Sequence, residues 1–170
     1  QSLALSDILD AYPAPSGLTL ECSDPSLPSG EENLVVRAAR SLQAAYSCRK
    51  GARLRLLKRI PAQAGLGGGS ADAAAALLAL ARLWRLPCRP ADLLPLAAGL
   101  GSDVPFFLYG GTALGVGRGE EVYPLPDAPR LEVVIALSPR GMPTARAYER
   151  IDSRLTRTNR VHTIQEIVQG

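Results

Sequence analysis

Histidine occurs once in this chain, at position 162, and cysteine three times, at 22, 48 and 88. One histidine, in a polar segment, argues against a Ser-His-Asp triad, and no role is assigned to it. Three widely spaced cysteines without a CxxC pair argue against a disulfide framework or a zinc site and favour a reducing compartment, with buried inert thiols as the expected state. Lysine occurs only at 50 and 58, so arginine carries nearly all of the positive charge in a formal balance of +3. That balance suits an anionic ligand. The arginines are scattered, however, and do not form the basic stripe interleaved with aromatics that a nucleic-acid groove requires, so no nucleic-acid partner is expected. No apolar run approaches the roughly 20 residues that cross a bilayer. The apolar stretch 73–81 is short, alanine-dominated and followed by Arg82, which marks it for a protein core. The chain begins with Gln1 and shows no charged-then-apolar leader, so a signal peptide is not expected and the native N-terminus is expected upstream. An apolar share of 46% with mean hydropathy near zero fits a soluble globular protein. Its 170 residues allow one domain, or one and part of another.

What the chain has in quantity is glycine just before a long helical pattern. Residues Pro61-Ala-Gln-Ala-Gly-Leu-Gly-Gly-Gly-Ser-Ala-Asp-Ala73 lead into an alanine-rich segment. Gly65, Gly67, Gly68 and Gly69 can take dihedrals closed to other residues and let a ligand approach the backbone. A helix start adds unpaired N–H groups and partial positive charge, which together suit phosphate. A Walker A loop would need Lys and then Ser or Thr after the last glycine, and Ser70-Ala71 stand there. A dinucleotide fingerprint read from Gly65 would need glycine at position 70. A phosphate loop of a third kind remains, against the alternative of a flexible connector that begins a helix.

Residues 3–10 and 17–22 read as extended segments separated by a proline-rich turn, and 25–32 as a loop. A helix is expected from Asn33 to about Ser47, with Leu34, Ala38, Leu42 and Ala45 on one face. Leu54, Leu56 and Ile60 alternate with Arg53, Arg55 and Arg59 in a strand. The glycine loop then opens a helix over about Ser70–Leu86 with Ser70 as its N-cap. Pro87 breaks it, Pro90 starts another that runs to about Leu100, and Gly99 and Gly101 end that one. A hairpin-like stretch covers 110–119, a linker 124–129, a buried strand 131–137 and a short helix 144–151. Strands and helices mix without regular βαβ alternation, so the expected class is α+β and not a doubly wound sheet.

Asp103 is the carboxylate that stands out. Gly101 permits a turn, and Pro105 is expected to push Val104 away from helical dihedrals. Phe106 and Phe107 offer an apolar wall that raises basicity and suits proton abstraction. The competing role is ordinary turn capping. Asp72, read as lying in the first turn of the phosphate helix, would complement the dipole or approach a metal. Arg118 reads as a solvent-facing turn residue, and Lys58 as a surface lysine beside the loop or a residue facing nucleotide.

These elements in this order resemble the GHMP kinase superfamily, the galactokinase, homoserine kinase and mevalonate kinase group. Many members have a shorter Pro-x-x-x-Gly-Leu-Gly-Ser-Ser loop. The longer loop here, with Gly101-Ser-Asp-Val-Pro-Phe-Phe107, is similar to the branch that phosphorylates 4-diphosphocytidyl-2-C-methyl-D-erythritol in non-mevalonate isoprenoid synthesis. Glu32-Asn33-Leu34, Gly111-Thr-Ala-Leu114 and Gly117-Arg-Gly-Glu120 fall where that branch has similar segments. The resemblance implies a ribosomal-protein-S5-domain-2-like N-terminal domain over 1–128, lacking its first strand, and the beginning of a ferredoxin-like C-terminal domain over 129–170. It implies ATP and magnesium as cofactors and a cytidylylated methylerythritol as small-molecule substrate, in a bacterial cytoplasm or a plastid. It also implies no membrane partner, and leaves monomer and homodimer open.

By position, Pro61, Ala62, Gln63, Ala64, Gly65, Leu66, Gly67, Gly68, Gly69, Ser70 and Ala71 would form the ATP phosphate loop. Asn33 and Lys58 would line the adenine side, and Asp103 would accept the hydroxyl proton. Ala71 replaces the family's second serine, so a tuned loop is expected. The family's early Pro-Ala-Lys-x-Asn strand, its Asp-Gly-Tyr-His segment and its late glycine-rich motif do not occur in these 170 residues. The resemblance therefore implies the central part of such an enzyme, inactive or impaired as it stands. Another small-molecule kinase of the superfamily and a non-catalytic nucleotide-binding module are the alternatives. A Rossmann-type oxidoreductase is disfavoured by the failed fingerprint.

Overall fold

The arginine-leucine alternation becomes the central strand of a three-stranded sheet. In the computed structural model, which describes residues 1–137, β1 (Ile8–Ala14), β2 (Leu18–Cys22) and β3 (Gly51–Leu57) lie in the order β1-β3-β2. β3 runs antiparallel to β1 and parallel to β2. The short link between β1 and β2 therefore crosses the end of β3 instead of closing a hairpin. Gly51 sits under that crossing: a Cβ there would lie 2.5 Å from the carbonyl carbon of Ser16. Any side chain would push the crossing away. The first strand is shifted from the expected 3–10 to 8–14, leaving 3–7 outside it, and takes in Pro13, which an edge strand tolerates because its missing N–H need not face a neighbour.

Two helices cover one face of the sheet. α1 (Leu34–Ala45) is capped by Asn33, whose Oδ1 accepts the Val35 N–H at 2.9 Å. α2 (Gly68–Trp84) begins two residues before the expected start, so Ser70 lies inside its first turn and Gly67 is the N-cap. A left-handed dihedral at Gly67 (φ 69°) lets the two following glycines enter helical geometry. Ala73, Ala74, Ala76, Leu77 and Leu80 of α2 are buried against Val35, Ala38, Ala39 and Leu42 of α1 and against Leu54 and Leu56 of β3. The small residues permit close packing, and Trp84 closes the end of this core by donating Nε1–H to the Gly51 carbonyl at 3.1 Å.

The second half is built from short pieces. The helix expected over 90–100 divides into a 3-10 turn (Pro90–Leu93) and α3 (Leu94–Leu100). α4 (Val104–Tyr109) corrects the expectation for Val104: it is the first helical residue, and Asp103 itself is helical at φ −85° and ψ −15°. Pro105 occupies the first turn, where its missing N–H would have had no partner, and this offsets the bias against helix before proline. β4 (Thr112–Val116) and β5 (Glu121–Leu125) form the expected hairpin, which extends into the segment read as linker. Residues 131–137 are not a buried strand. They adopt no regular structure, with Leu131 77% and Val134 95% exposed. An apolar run becomes a strand only where a neighbour completes its ladder, and among the described residues none does. The helix expected over 144–151 and His162 lie outside the described residues. Cys22, Cys48 and Cys88 are free thiols, half-buried and not fully buried as expected. No helix among the described residues is long and apolar enough to cross a membrane.

Candidate functional site

The segment leaving β3 is pinned before it becomes the glycine loop. Lys58 donates its backbone N–H to Ser23 Oγ at 2.9 Å. The backbone N–H groups of Arg59 and Ile60 both donate to Oδ1 of Asp7, at 2.5 and 2.8 Å. After Ile60 the chain enters an open turn in which Gln63, Gly65 and Gly67 all have positive φ. Gln63 is the exception among them, since a side chain in that region is strained. A Cβ on Gly65 would meet nothing within 4 Å, so the loop leaves space beside its backbone. Gly67 is tight for the opposite reason: a Cβ there would lie 2.8 Å from the Phe107 ring.

The loop ends on a helix start without a side-chain cap. The first intrahelical bond is donated by Ala71 to Gly67, so the N–H groups of Gly68, Gly69 and Ser70 precede the helical ladder. They sit at the positive end of a 17-residue dipole. Donors in this arrangement suit a phosphate group.

Beneath the loop lies a buried charge cluster. Lys58 Nζ is 2.5 Å from Asp7 Oδ2 and 2.7 Å from Asp72 Oδ2, and these side chains are only 5–7% exposed. Lys58 is thus no surface lysine, and Asp72 is not in the first turn: it is the fifth residue of α2, pointing inward. Burial would push the Asp7 carboxyl up, but the Arg59 N–H, the Lys58 ammonium and the Ile60 N–H hold it below the usual range. Asp72 has fewer such partners. Burial, with a push from Asp7, raises its carboxyl to about 6 despite the Lys58 ammonium.

A pH effect follows. The folded protein binds the Asp72 proton more tightly than the unfolded chain, so this group's stabilising contribution is full below about pH 4 and is lost as pH rises through about 6. Asp7 has the opposite sign, and its contribution is lost as pH falls through its lowered value. Asp72→Asn should remove the first slope. Between pH 4 and 7 the variant is expected to gain about 2 kcal/mol on the wild type in urea unfolding. A constant difference between the two proteins would refute this account of Asp72.

A cleft of about 410 Å³ opens beside the cluster, with Asp7, Gly65, Leu66, Ala71, Asp72 and Phe107 among its walls. Of the loop residues singled out in the sequence, Gly65, Leu66 and Ala71 face it, while Ala62, Gln63 and Ala64 are exposed. A Cβ at Gly68 would meet Ile60 at 2.9 Å and Lys58 Nζ at 3.4 Å, and one at Gly69 would meet Leu34 at 3.5 Å. The Asn33 side chain is occupied with the α1 cap and the Pro28 carbonyl. Phe107 brings α4 against the loop, and Phe106 meets Phe107 edge to face, with ring centroids 5.1 Å apart. Asp103 stands at the start of α4, exposed and without a side-chain capping bond. The apolar enclosure expected around it is absent among the described residues. Arg118 is solvent-facing, as expected, and pairs with Glu120. Asp7 was missed in the sequence because it lies 51 residues from Lys58, with no local pattern to mark it.

Residues 33–111 match the family described as GHMP kinases N terminal domain. The chain is 52% identical over 149 residues to a 4-diphosphocytidyl-2-C-methyl-D-erythritol kinase from Pelotomaculum thermopropionicum, covering 87% of this chain and 52% of that protein. A relative of the same name from Moorella thermoacetica is 47% identical over 153 residues, 90% of this chain and 53% of that protein. The chain thus spans about half the length of the curated relatives it matches. Among solved structures, a 4-(cytidine 5'-diphospho)-2C-methyl-D-erythritol kinase superposes with a TM-score of 0.62 at 46% identity, covering 71% of this chain and 42% of that one. A homoserine kinase from Cytophaga hutchinsonii gives the same TM-score at 25% identity, over 71% of this chain and 43% of that one. By this similarity and its glycine loop, residues 33–111 of the chain form a GHMP kinase N-terminal domain.

Proposed function

We propose that this protein is an ATP-dependent kinase that phosphorylates the 2-hydroxyl of 4-diphosphocytidyl-2-C-methyl-D-erythritol. The observation that carries the reading is the glycine loop running into an uncapped helix, with Phe107 packed on Gly67 so that the segment bearing Asp103 adjoins the loop. Phosphoryl transfer depends mainly on positioning and on neutralising charge, and both demands fit these parts. The N–H groups of Gly68, Gly69 and Ser70 receive phosphate oxygens, within the Pro61–Ala71 loop. Asp103 accepts the proton of the attacking hydroxyl. No trio of metal-ligating side chains occurs among the described residues, so magnesium would be carried chiefly by the triphosphate, where it neutralises charge.

The substrate assignment is supported by relatives bearing that enzyme's name at 47–52% identity. The homoserine kinase likeness favours one second reading, a kinase of the same family acting on another small alcohol. A division near residue 128 belongs to the same proposal, since the last described strand ends at Leu125. A bacterial cytoplasm or a plastid would be the matching location.

The test is ADP release by the full-length protein with magnesium, ATP and each of several alcohols. Release is expected only with the cytidylylated methylerythritol. Release with homoserine instead would select the second reading, and nucleotide binding without any acceptor-dependent release would leave a non-catalytic module.

A further inference from the structure

We propose that Asp7, Lys58 and Asp72 form a brace that holds the glycine loop in its phosphate-receiving shape, making Lys58 a positioning residue and not a nucleotide contact. The inference rests on the kinase reading above. Its basis is where the three residues attach. Asp7 takes the backbone N–H groups of Arg59 and Ile60, immediately before Pro61, and also Lys58 Nζ. Lys58 then reaches across the loop to Asp72 on the far side, one turn into α2. The entry and the exit of the loop are thus tied through one ammonium, and Ser23 adds a third tie at the entry.

The loop needs such ties. A Cβ on Gly65 would meet nothing within 4 Å, so the middle of the loop has little packing to hold it, and an unbraced glycine-rich turn loses much conformational entropy when it orders on a ligand. A Cβ added at Gly68 would lie 2.9 Å from Ile60 Cγ2 and 3.4 Å from Lys58 Nζ, so the helix start sits close over the brace. Lys58 has no freedom to serve a nucleotide as well. It is almost wholly buried, and turning outward would abandon two buried carboxylates.

A brace and a ligand contact differ in kinetics. If the loop is competent for only a fraction of the time, the apparent nucleotide dissociation constant rises by the inverse of that fraction, while turnover of the filled complex is preserved. In the full-length protein, Asp72→Ala is expected to raise the KM for ATP on the order of tenfold at saturating acceptor, with kcat within about threefold of wild type. Asp72→Asn keeps an oxygen for Lys58 and should recover most of the loss. Hydrogen exchange of amides 62–70 should quicken in the alanine variant without nucleotide and return towards wild type on saturation with ATP.

An unchanged KM with unchanged loop exchange overturns the brace. So does a loss confined to kcat, which would put Asp72 at the reacting atoms. Should Asp72→Ala not fold, Asp7→Asn is read by the same criteria. If the wild type shows no acceptor-dependent turnover, the kinase reading fails, and loop exchange with and without ATP still decides the brace.

Discussion

Asparagine at position 103 is expected to lower kcat by about 10²–10⁴-fold, the usual contribution of a positioned general base, while ATP affinity stays close to wild type. The substitution is a clean one because Asp103 carries little structural duty. Its side chain is exposed and makes no capping bond to α4, so the ordinary task of an aspartate in a turn is not being performed here. Asparagine keeps the shape and removes the charge and the proton-accepting oxygen. Steady-state ADP release, beside calorimetric titration with ATP, separates the two effects. Undiminished kcat would remove Asp103 from the chemistry. A parallel fall in stability would instead make it structural.

Lys58→Met is expected to cost about 3–5 kcal/mol of folding stability, because it removes the one cation shared by two buried carboxylates. The surface pair Arg40–Glu31, at 2.9 Å, gives a useful contrast. Both of its side chains are at least half exposed, and Arg40→Met should change stability by about 1 kcal/mol at most. Urea unfolding midpoints measure both. The cluster also makes a coupling prediction. Adding Asp72→Asn to Lys58→Met removes one of the stranded charges and should restore part of the loss, since residues in one network are not additive. Strictly additive losses would mean that the three side chains act separately.

Much of the fold was legible because its signals are local. The Arg/Leu alternation of β3, the Asn33 cap and the apolar spacing of α1 each lie within a few residues of what they specify. The same holds for the glycines before α2 and for the hairpin read over 110–119, which forms over 112–125. The errors arose where local preference was weak or outweighed. Glycine has low helix propensity, so the start of α2 was placed at Ser70, although Gly67 turns the chain early enough for Gly68 and Gly69 to join the helix. The rule for residues before proline was applied to Val104, but the first turn of a helix accommodates that proline. The apolar run at 131–137 predicts a buried strand from composition alone, but burial depends on what lies opposite.

The candidate site divides along the same line. The sequence by itself determined a glycine turn leading into a long helix, because backbone freedom and helix start are written in consecutive residues, and it marked that turn and Asp103 as candidates. Only the tertiary structure decided that Phe107 closes on Gly67, that the β1–β2 crossing requires glycine at 51, and that Lys58 is enclosed between Asp7 and Asp72. The reason is physical. Dihedral preference is a property of neighbours along the chain, whereas desolvation and charge pairing depend on groups that meet only after residues 51 apart have been brought within hydrogen-bonding distance.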